Sequence, residues 1–296
     1  KSNHKNSIIL IGNFDGLHLG HQKLFNLAQN FKKKYSLKIG VMTFEPMPKM
    51  FFNKHLNNFR ISNQIQKINL LKRFNVDFVI IKKFDKKFSK IKSKNFIKDI
   101  LSSKLKAKFI FVSNNFRFGN KREGTVNQLI NYETFYDYRI IKPKPLSKNK
   151  KIISSSLIRK LLQQGKINKV NKFLNREWSI DGKVIKGRQL GKKIGFPTAN
   201  VDIKDYIIAK PGVYAVRAKK QNTTKFIKGI ANLGFRPTFN QKKILLEVHL
   251  FNFSKNLYNK YLSVNFIKFI RKEKKFKNID QLKKQIKLDL LKAKKI

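Results

Sequence analysis

Ile8-Ile9-Leu10-Ile11-Gly12-Asn13-Phe14-Asp15-Gly16-Leu17-His18-Leu19-Gly20-His21 joins an unbroken apolar run to a stretch where Leu24, Leu27, Ala28 and Phe31 recur at helical spacing. The run reads as a buried strand and the stretch as an amphipathic helix. The two histidines therefore lie in a glycine-rich strand-to-helix turn. Amides at the start of a helix have no intrahelical acceptor, and the helix dipole favours an anion there. Two imidazoles in such a turn add donors for phosphate oxygens as negative charge builds. The chain holds 5 histidines in all, so a pair this close is a signal and not background.

Outward from this turn, strand and helix signals alternate. Strands are predicted at 7–14, 37–44, 76–82, 108–113 and 138–142, and helices at 20–34, 61–74, 93–105, 125–133 and 154–164. The alternation predicts an α/β fold, a Rossmann-like parallel sheet with helices on both faces. Ligands of such sheets bind beyond the C-terminal strand ends. Thr43-Phe44-Glu45-Pro46 follows the second strand and Ser113-Asn114-Asn115-Phe116-Arg117-Phe118-Gly119 the fourth. With the histidine turn, three unusual segments share one edge of one sheet.

From Trp178 onward the pattern changes. Short alternating runs at 178–186, 212–219, 226–233, 244–251 and 261–270 predict an antiparallel barrel or sandwich. A closing helix spans 280–292, with Leu282, Ile286 and Leu290 at helical spacing. The expected division is a first domain at 1–165, a short helical linker at 166–177 and a second domain at 178–296.

The 296 residues are 41% hydrophobic, enough for packed cores, and include no cysteine. Disulfides and thiolate metal sites are thereby excluded. No apolar stretch is long enough to cross a bilayer, and no secretory signal is visible, so a soluble cytoplasmic protein is expected. The formal charge of +52 comes mostly from lysines spread along the whole length. A nucleic-acid binder more often gathers its charge on one face or tail, so the charge reads as a solvated background. It makes acids informative: there are 16 against 68 basic residues, and Asp15, Glu45 and Glu247 fall in distinctive segments.

Three further segments carry chemistry. In Ile153-Ser154-Ser155-Ser156-Leu157-Ile158-Arg159 the serines either cap a helix or meet a phosphate, and Arg159 lies one turn in, on the phosphate side. In Gly187-Arg188-Gln189-Leu190-Gly191-Lys192-Lys193-Ile194-Gly195-Phe196-Pro197-Thr198-Ala199-Asn200 the glycines let a loop approach phosphates. Thr198 and Asn200 offer neutral oxygens of the kind Mg²⁺ accepts beside a nucleotide. In Leu246-Glu247-Val248-His249-Leu250, strand alternation puts Glu247 and His249 on one face, where a carboxylate can act as a base.

GNFDGLHLGH at 12–21, TFEPMP at 43–48, NFRFGNKREG at 115–124 and ISSSLIR at 153–159 resemble the HxGH nucleotidyltransferase superfamily. With the loop at 187–200 and the segments at 231–239 and 246–250, nearly the whole chain resembles the bacterial bifunctional riboflavin kinase/FMN adenylyltransferase (FAD synthetase) family. The resemblance implies riboflavin phosphorylation on a six-stranded antiparallel β-barrel and AMP transfer from ATP to FMN in the first domain. It assigns His18, His21 and Arg159 to adenylyl transfer and Glu247 as the kinase base. Gly12, Asn13, Phe14, Asp15, Gly16, Gly20, Ser154, Ser155 and Ser156 are implied to bind ATP in the first domain. Asn115, Arg271 and Phe276 are placed near flavin. Gly187, Gly191, Lys192, Gly195 and Pro197 are placed at the kinase ATP, and Thr198 and Asn200 at Mg²⁺. The implied partners are riboflavin, FMN, FAD and ATP, with no specific nucleic acid, no membrane and at most weak or transient self-association.

The match has departures. Ser113-Asn114 stands where the family usually has Gly-Asp, Met47 where histidine is frequent, and Lys186 where histidine is common. Two alternatives stand beside this reading. One is a basic nucleic-acid-associated protein. The other keeps the kinase and gives the first domain a different nucleotidyl acceptor.

Overall fold

The computed structural model describes residues 5–148, 150–187, 189–204, 206–237 and 242–296. Arg188, Thr238 and Phe239 of the motifs lie outside the described residues. Chain contacts divide the molecule into two compact units, 1–57 with 64–154, and 58–63 with 155–296.

The first unit is built on β1 (Ile8–Ile11), β2 (Ile39–Glu45), β3 (Phe78–Lys83), β4 (Phe109–Phe111) and a later strand. Two short ribbons decorate it: β5 (Arg117–Phe118) with β6 (Gly124–Thr125), and β8 (Ser147–Lys148) with β9 (Lys151–Ile152). Between them runs β7 (Arg139–Ile141), and the sheet order is β3-β2-β1-β4-β7, parallel throughout. Every side chain of β1 is buried because helices cover both faces of the sheet. Ile9 and Ile11 enter one core with Met42 and Ile110, while Ile8 and Leu10 enter the other with Val41 and Phe111. Helix α1 (Leu19–Tyr35) turns Leu24, Phe25 and Ala28 inward and ends in Lys32, Lys33 and Lys34, where the helix dipole favours cations.

The second unit contains β10 (Trp178–Ile185), β11 (Ala199–Val201), β12 (Gly212–Lys220), β13 (Ile227–Pro237), β14 (Lys242–Leu250) and β15 (Tyr261–Arg271). They close into an antiparallel barrel ordered β10-β11-β14-β13-β12-β15. The barrel form is thus realised and the sandwich is not. Strand β11, absent from the predicted runs, completes the ring. Leu246, Val248 and Leu250 fill the interior, so Glu247 and His249 face the other way.

Two helices, Ser155–Gln163 and Ile167–Leu174, send Ile158, Leu161, Leu162, Ile167, Val170 and Leu174 into the barrel core. The unit division therefore falls before Ser155, earlier than the boundary expected near 165. Trp178, the chain's single tryptophan, is 1% exposed. Its indole N–H donates to the Ile61 carbonyl at 2.9 Å, and its ring lies 4.6 Å from that of Phe266. Helix Ile279–Lys294 starts at Asn278, whose side chain accepts from the Gln281 amide. It packs Leu290 and Ala293 on Val213, Ala215 and Ile230 of the barrel wall.

Candidate active sites

In the first unit the turn after β1 is tightly wound. Phe14, Gly16 and Leu17 have φ of 47°, 79° and 36°. Left-handed backbone at two non-glycine residues costs on the order of 1–3 kcal/mol each and clusters at functional sites. Lys67, 4% exposed, braces the turn from below. It donates to Thr43 Oγ1 at 3.0 Å and to the Asn13 carbonyl at 3.4 Å. Within the turn Asp15 and His18 are buried, while Asn13 is exposed.

His18 is the residue before α1 and makes no side-chain cap bond. Its ring stacks on that of His21 with centroids 3.7 Å apart, and the Phe14 ring meets His21 edge-on at 5.2 Å. His21 Nδ1 is buried without a hydrogen-bond partner among the described residues. Burial first, and the neighbouring His18 charge second, hold the His21 pKa well below the ordinary imidazole value. A side chain at Gly20 would press within 3.0 Å of the Ile153 carbonyl and 3.2 Å of the His18 ring, so the glycine keeps room for the stack. Exposed Asn115 follows β4 on the same sheet edge and accepts from Ser113 Oγ at 3.0 Å. This edge offers imidazoles, helix-start amides and a buried ammonium, a setting for a polyanion whose charge shifts during reaction.

Ser154 belongs to the first unit; Ser155, Ser156 and Arg159 belong to the second. Arg159 Nε donates to the Phe59 carbonyl at 2.8 Å, with the guanidinium 3.7 Å from the Phe59 ring centroid.

The second unit holds a cavity of about 340 Å³. Gly191, Thr198, Glu247, Arg271 and Phe276, all named from sequence, line it together. Glu247 pairs across strands with Asn200 on one side and Asn232 on the other. Cross-strand partners point to the same face, so two amides flank the carboxylate. Asn200 is 6% exposed and packs under Gly187, where any side chain would collide with its amide. Lys192, Gly195 and Pro197 are exposed on the same loop. His249 Nδ1 lies 2.8 Å from the Pro197 carbonyl; since a carbonyl only accepts, that nitrogen carries the proton and ties the loop to β14.

Residues 1–157 match the family model for FAD synthetase, and residues 174–296 match that for riboflavin kinase. The bifunctional riboflavin kinase/FMN adenylyltransferase of Buchnera aphidicola subsp. Acyrthosiphon pisum is 41% identical over 98% of this chain and 93% of its own. The protein of the same name from Escherichia coli K12 is 36% identical over 97% of this chain and 91% of its own. The chain belongs to the bifunctional riboflavin kinase/FMN adenylyltransferase family. A crystal structure described as a macrolide-efflux protein from Streptococcus pneumoniae shares the fold, with a TM-score of 0.87 and 30% identity over 97% of this chain and 93% of that one. Among the described residues here, no helix is long and apolar enough to cross a membrane.

The structure brings further residues to these candidate sites that the sequence reading missed. Asn232 lay within a recognised segment and is singled out only by its register with Glu247. Glu273 and Asp289 line the cavity, and their only sequence signal is being acids in an acid-poor chain. Lys67 carries no such signal, being one cation among many.

Proposed function

We infer that this chain makes flavin nucleotides in two steps, riboflavin to FMN in the second unit and FMN to FAD in the first. The observation that carries the reading is Glu247, in register between Asn200 and Asn232, on a cavity wall shared with Asn232, Thr198 and Arg271. In the first step Glu247 accepts the proton of the riboflavin 5′-hydroxyl. The oxygen then attacks the γ-phosphorus of ATP, and ADP leaves. The flanking amides orient the carboxylate. His249 holds the glycine loop in place through Pro197.

Asn200, in register with Glu247, and Thr198, on the same cavity wall as Glu247, offer hard neutral oxygens, a donor set that suits Mg²⁺. That ion, when bound, would draw charge from the transferring phosphate. Gly187, Gly191, Lys192, Gly195 and Pro197 supply the loop for the nucleotide, and Arg271 and Phe276 the flavin wall.

In the second step a phosphate oxygen of FMN attacks the α-phosphorus of ATP, and pyrophosphate leaves. The nucleophile is already an anion, so the task is alignment and charge stabilisation. Within the first unit, His18, His21 and the turn Gly12–Gly16 with Gly20 take the phosphates, Asn115 the flavin phosphate and Ser154 the pyrophosphate. The orphaned Nδ1 of His21 supports this assignment. We assign the enzyme to the cytoplasm, where ATP is available, and read its charge as background without a nucleic-acid role.

Incubating the purified chain with riboflavin, ATP and Mg²⁺, and resolving the flavins by chromatography, tests the reading. FMN and FAD should both accumulate. FMN alone, even after FMN is supplied, would assign the first unit another acceptor, and no FMN would overturn the kinase.

A further inference from the structure

We propose that Asp289 is a positioning residue of the kinase site, fixing Arg271 so that its two outer N–H groups read a pair of adjacent acceptors on the flavin ring. The proposal rests on the kinase reading above and adds what that site selects.

Asp289 is 1% exposed, although the other charged residues of its helix are mostly lysines. With Leu282 and Ile286, two turns and one turn earlier, it forms the helix's contribution to the cavity wall. Its carboxylate lies 2.7 Å from Arg271 Nη2 and accepts from Arg271 Nε at 3.0 and 2.9 Å. Gln285 Nε2 donates to the same group at 3.0 Å and completes its coordination. Arg271 ends β15, and its Nη1 donates to the Lys272 carbonyl at 2.9 Å. The guanidinium carbon sits 5.8 Å from the Phe276 ring centroid.

A guanidinium has five N–H donors in a fixed plane. Asp289 takes the Nε–H and one on Nη2; Lys272 takes one on Nη1. One donor on each terminal nitrogen is left, among the described residues, at a cavity wall. A buried ion pair contributes little net stability relative to apolar packing, so its place here points to orientation. A two-point carboxylate removes the rotational freedom an arginine side chain otherwise has. Two fixed, neighbouring N–H groups match a planar heteroaromatic with a ring nitrogen beside a carbonyl oxygen. The isoalloxazine ring offers that pair at N1 with O2 and at N5 with O4.

Steady-state kinase kinetics of the full chain, with riboflavin, 1-deazariboflavin and 5-deazariboflavin as acceptors, test this. The parent should favour riboflavin over one of the two analogues by roughly tenfold or more in kcat/KM, because a lost ring nitrogen leaves a donor unpaired. Asp289→Asn should shrink that preference to within about threefold and raise KM for riboflavin more than it lowers kcat. Arg271→Lys keeps the charge and loses the fork, and should shrink the preference as well; it serves as the test if the Asp289 variant does not fold. Native emission from Trp178, buried in the same unit, together with residual riboflavin phosphorylation, reports that the barrel of each preparation is folded. An unchanged analogue preference in a folded Asp289→Asn or Arg271→Lys protein would overturn the proposal, as would a parent that accepts both analogues as well as riboflavin. A parent that phosphorylates no flavin at all would overturn the kinase reading itself.

Discussion

The imidazoles of His18 and His21 stack with centroids 3.7 Å apart and planes 22° from parallel. Two cations that close repel strongly where water is largely excluded. His21, its pKa held well below the ordinary imidazole value, therefore rests neutral at pH 7.

This has a pH consequence. The folded His21 pKa is lowered, by burial and then by His18, so below about pH 6.5 the unfolded chain binds the extra proton first. The stability contribution is intact above the unfolded value and is lost as pH falls through the interval down to the folded one. Denaturant unfolding of the parent should weaken from pH 7.5 to 5.5, by at most about 1.4 kcal/mol per pH unit from this group. His21→Gln should flatten that dependence; an identical slope would remove His21 as its source.

Replacing both His18 and His21 by Ala removes donors aimed at developing phosphate charge. One such donor typically contributes about 3–4 kcal/mol to the transition state. FAD formation should be lost while FMN formation from riboflavin persists. FAD production at the parent rate would rule the turn out as the adenylyl site.

Glu247→Gln keeps size and the flanking amides but cannot take a proton. Riboflavin phosphorylation should fall by about 10²–10⁴-fold, with adenylylation of supplied FMN near normal. Thr198→Ala should also slow the kinase, with partial recovery at raised Mg²⁺, which the Gln variant should not show. Parent-level phosphorylation by Glu247→Gln would require a different base.

Leu162 is fully buried in the barrel's core although the sequence places it before the linker. Leu162→Ala should destabilise the second unit by about 2–5 kcal/mol. Thermal inactivation followed separately for the two activities should show the kinase lost first. Loss of adenylylation alone would assign helix Ser155–Gln163 to the first domain after all.

The charge of +52 makes a salt prediction. Duplex DNA should bind without sequence preference and release steeply between roughly 50 and 200 mM salt. Sequence-selective binding that survives physiological salt would revive the nucleic-acid reading.

Strands β1, β2 and β4 were legible because burial on both faces leaves a continuous apolar run, and the barrel strands because one face alternates. Strand β11 was not: Ala199–Val201 is three residues long and directly follows a glycine loop. Helix Ser155–Gln163 was legible as amphipathic, but an apolar stripe does not say which core receives it. The site was legible where rare residue types cluster, as at His18, His21 and Glu247. Lys67 and Asp289 were hidden for opposite reasons. A lysine is invisible among 68 basic residues, and an acid on a lysine-rich helix looks like solvated surface until its partner Arg271 is brought beside it.

Trp178 turns the molecule into its own fluorimeter. The only indole of the chain is sealed in the second unit, so ultraviolet emission excited at its red edge reports that unit and is blind to the first. Its N–H is held by Ile61, which reaches the unit from a six-residue segment far away in the chain. A blue shift during refolding thus times the arrival of residues 58–63 along with barrel closure, and flavin binding at the second unit's cavity would register as energy transfer from this one donor.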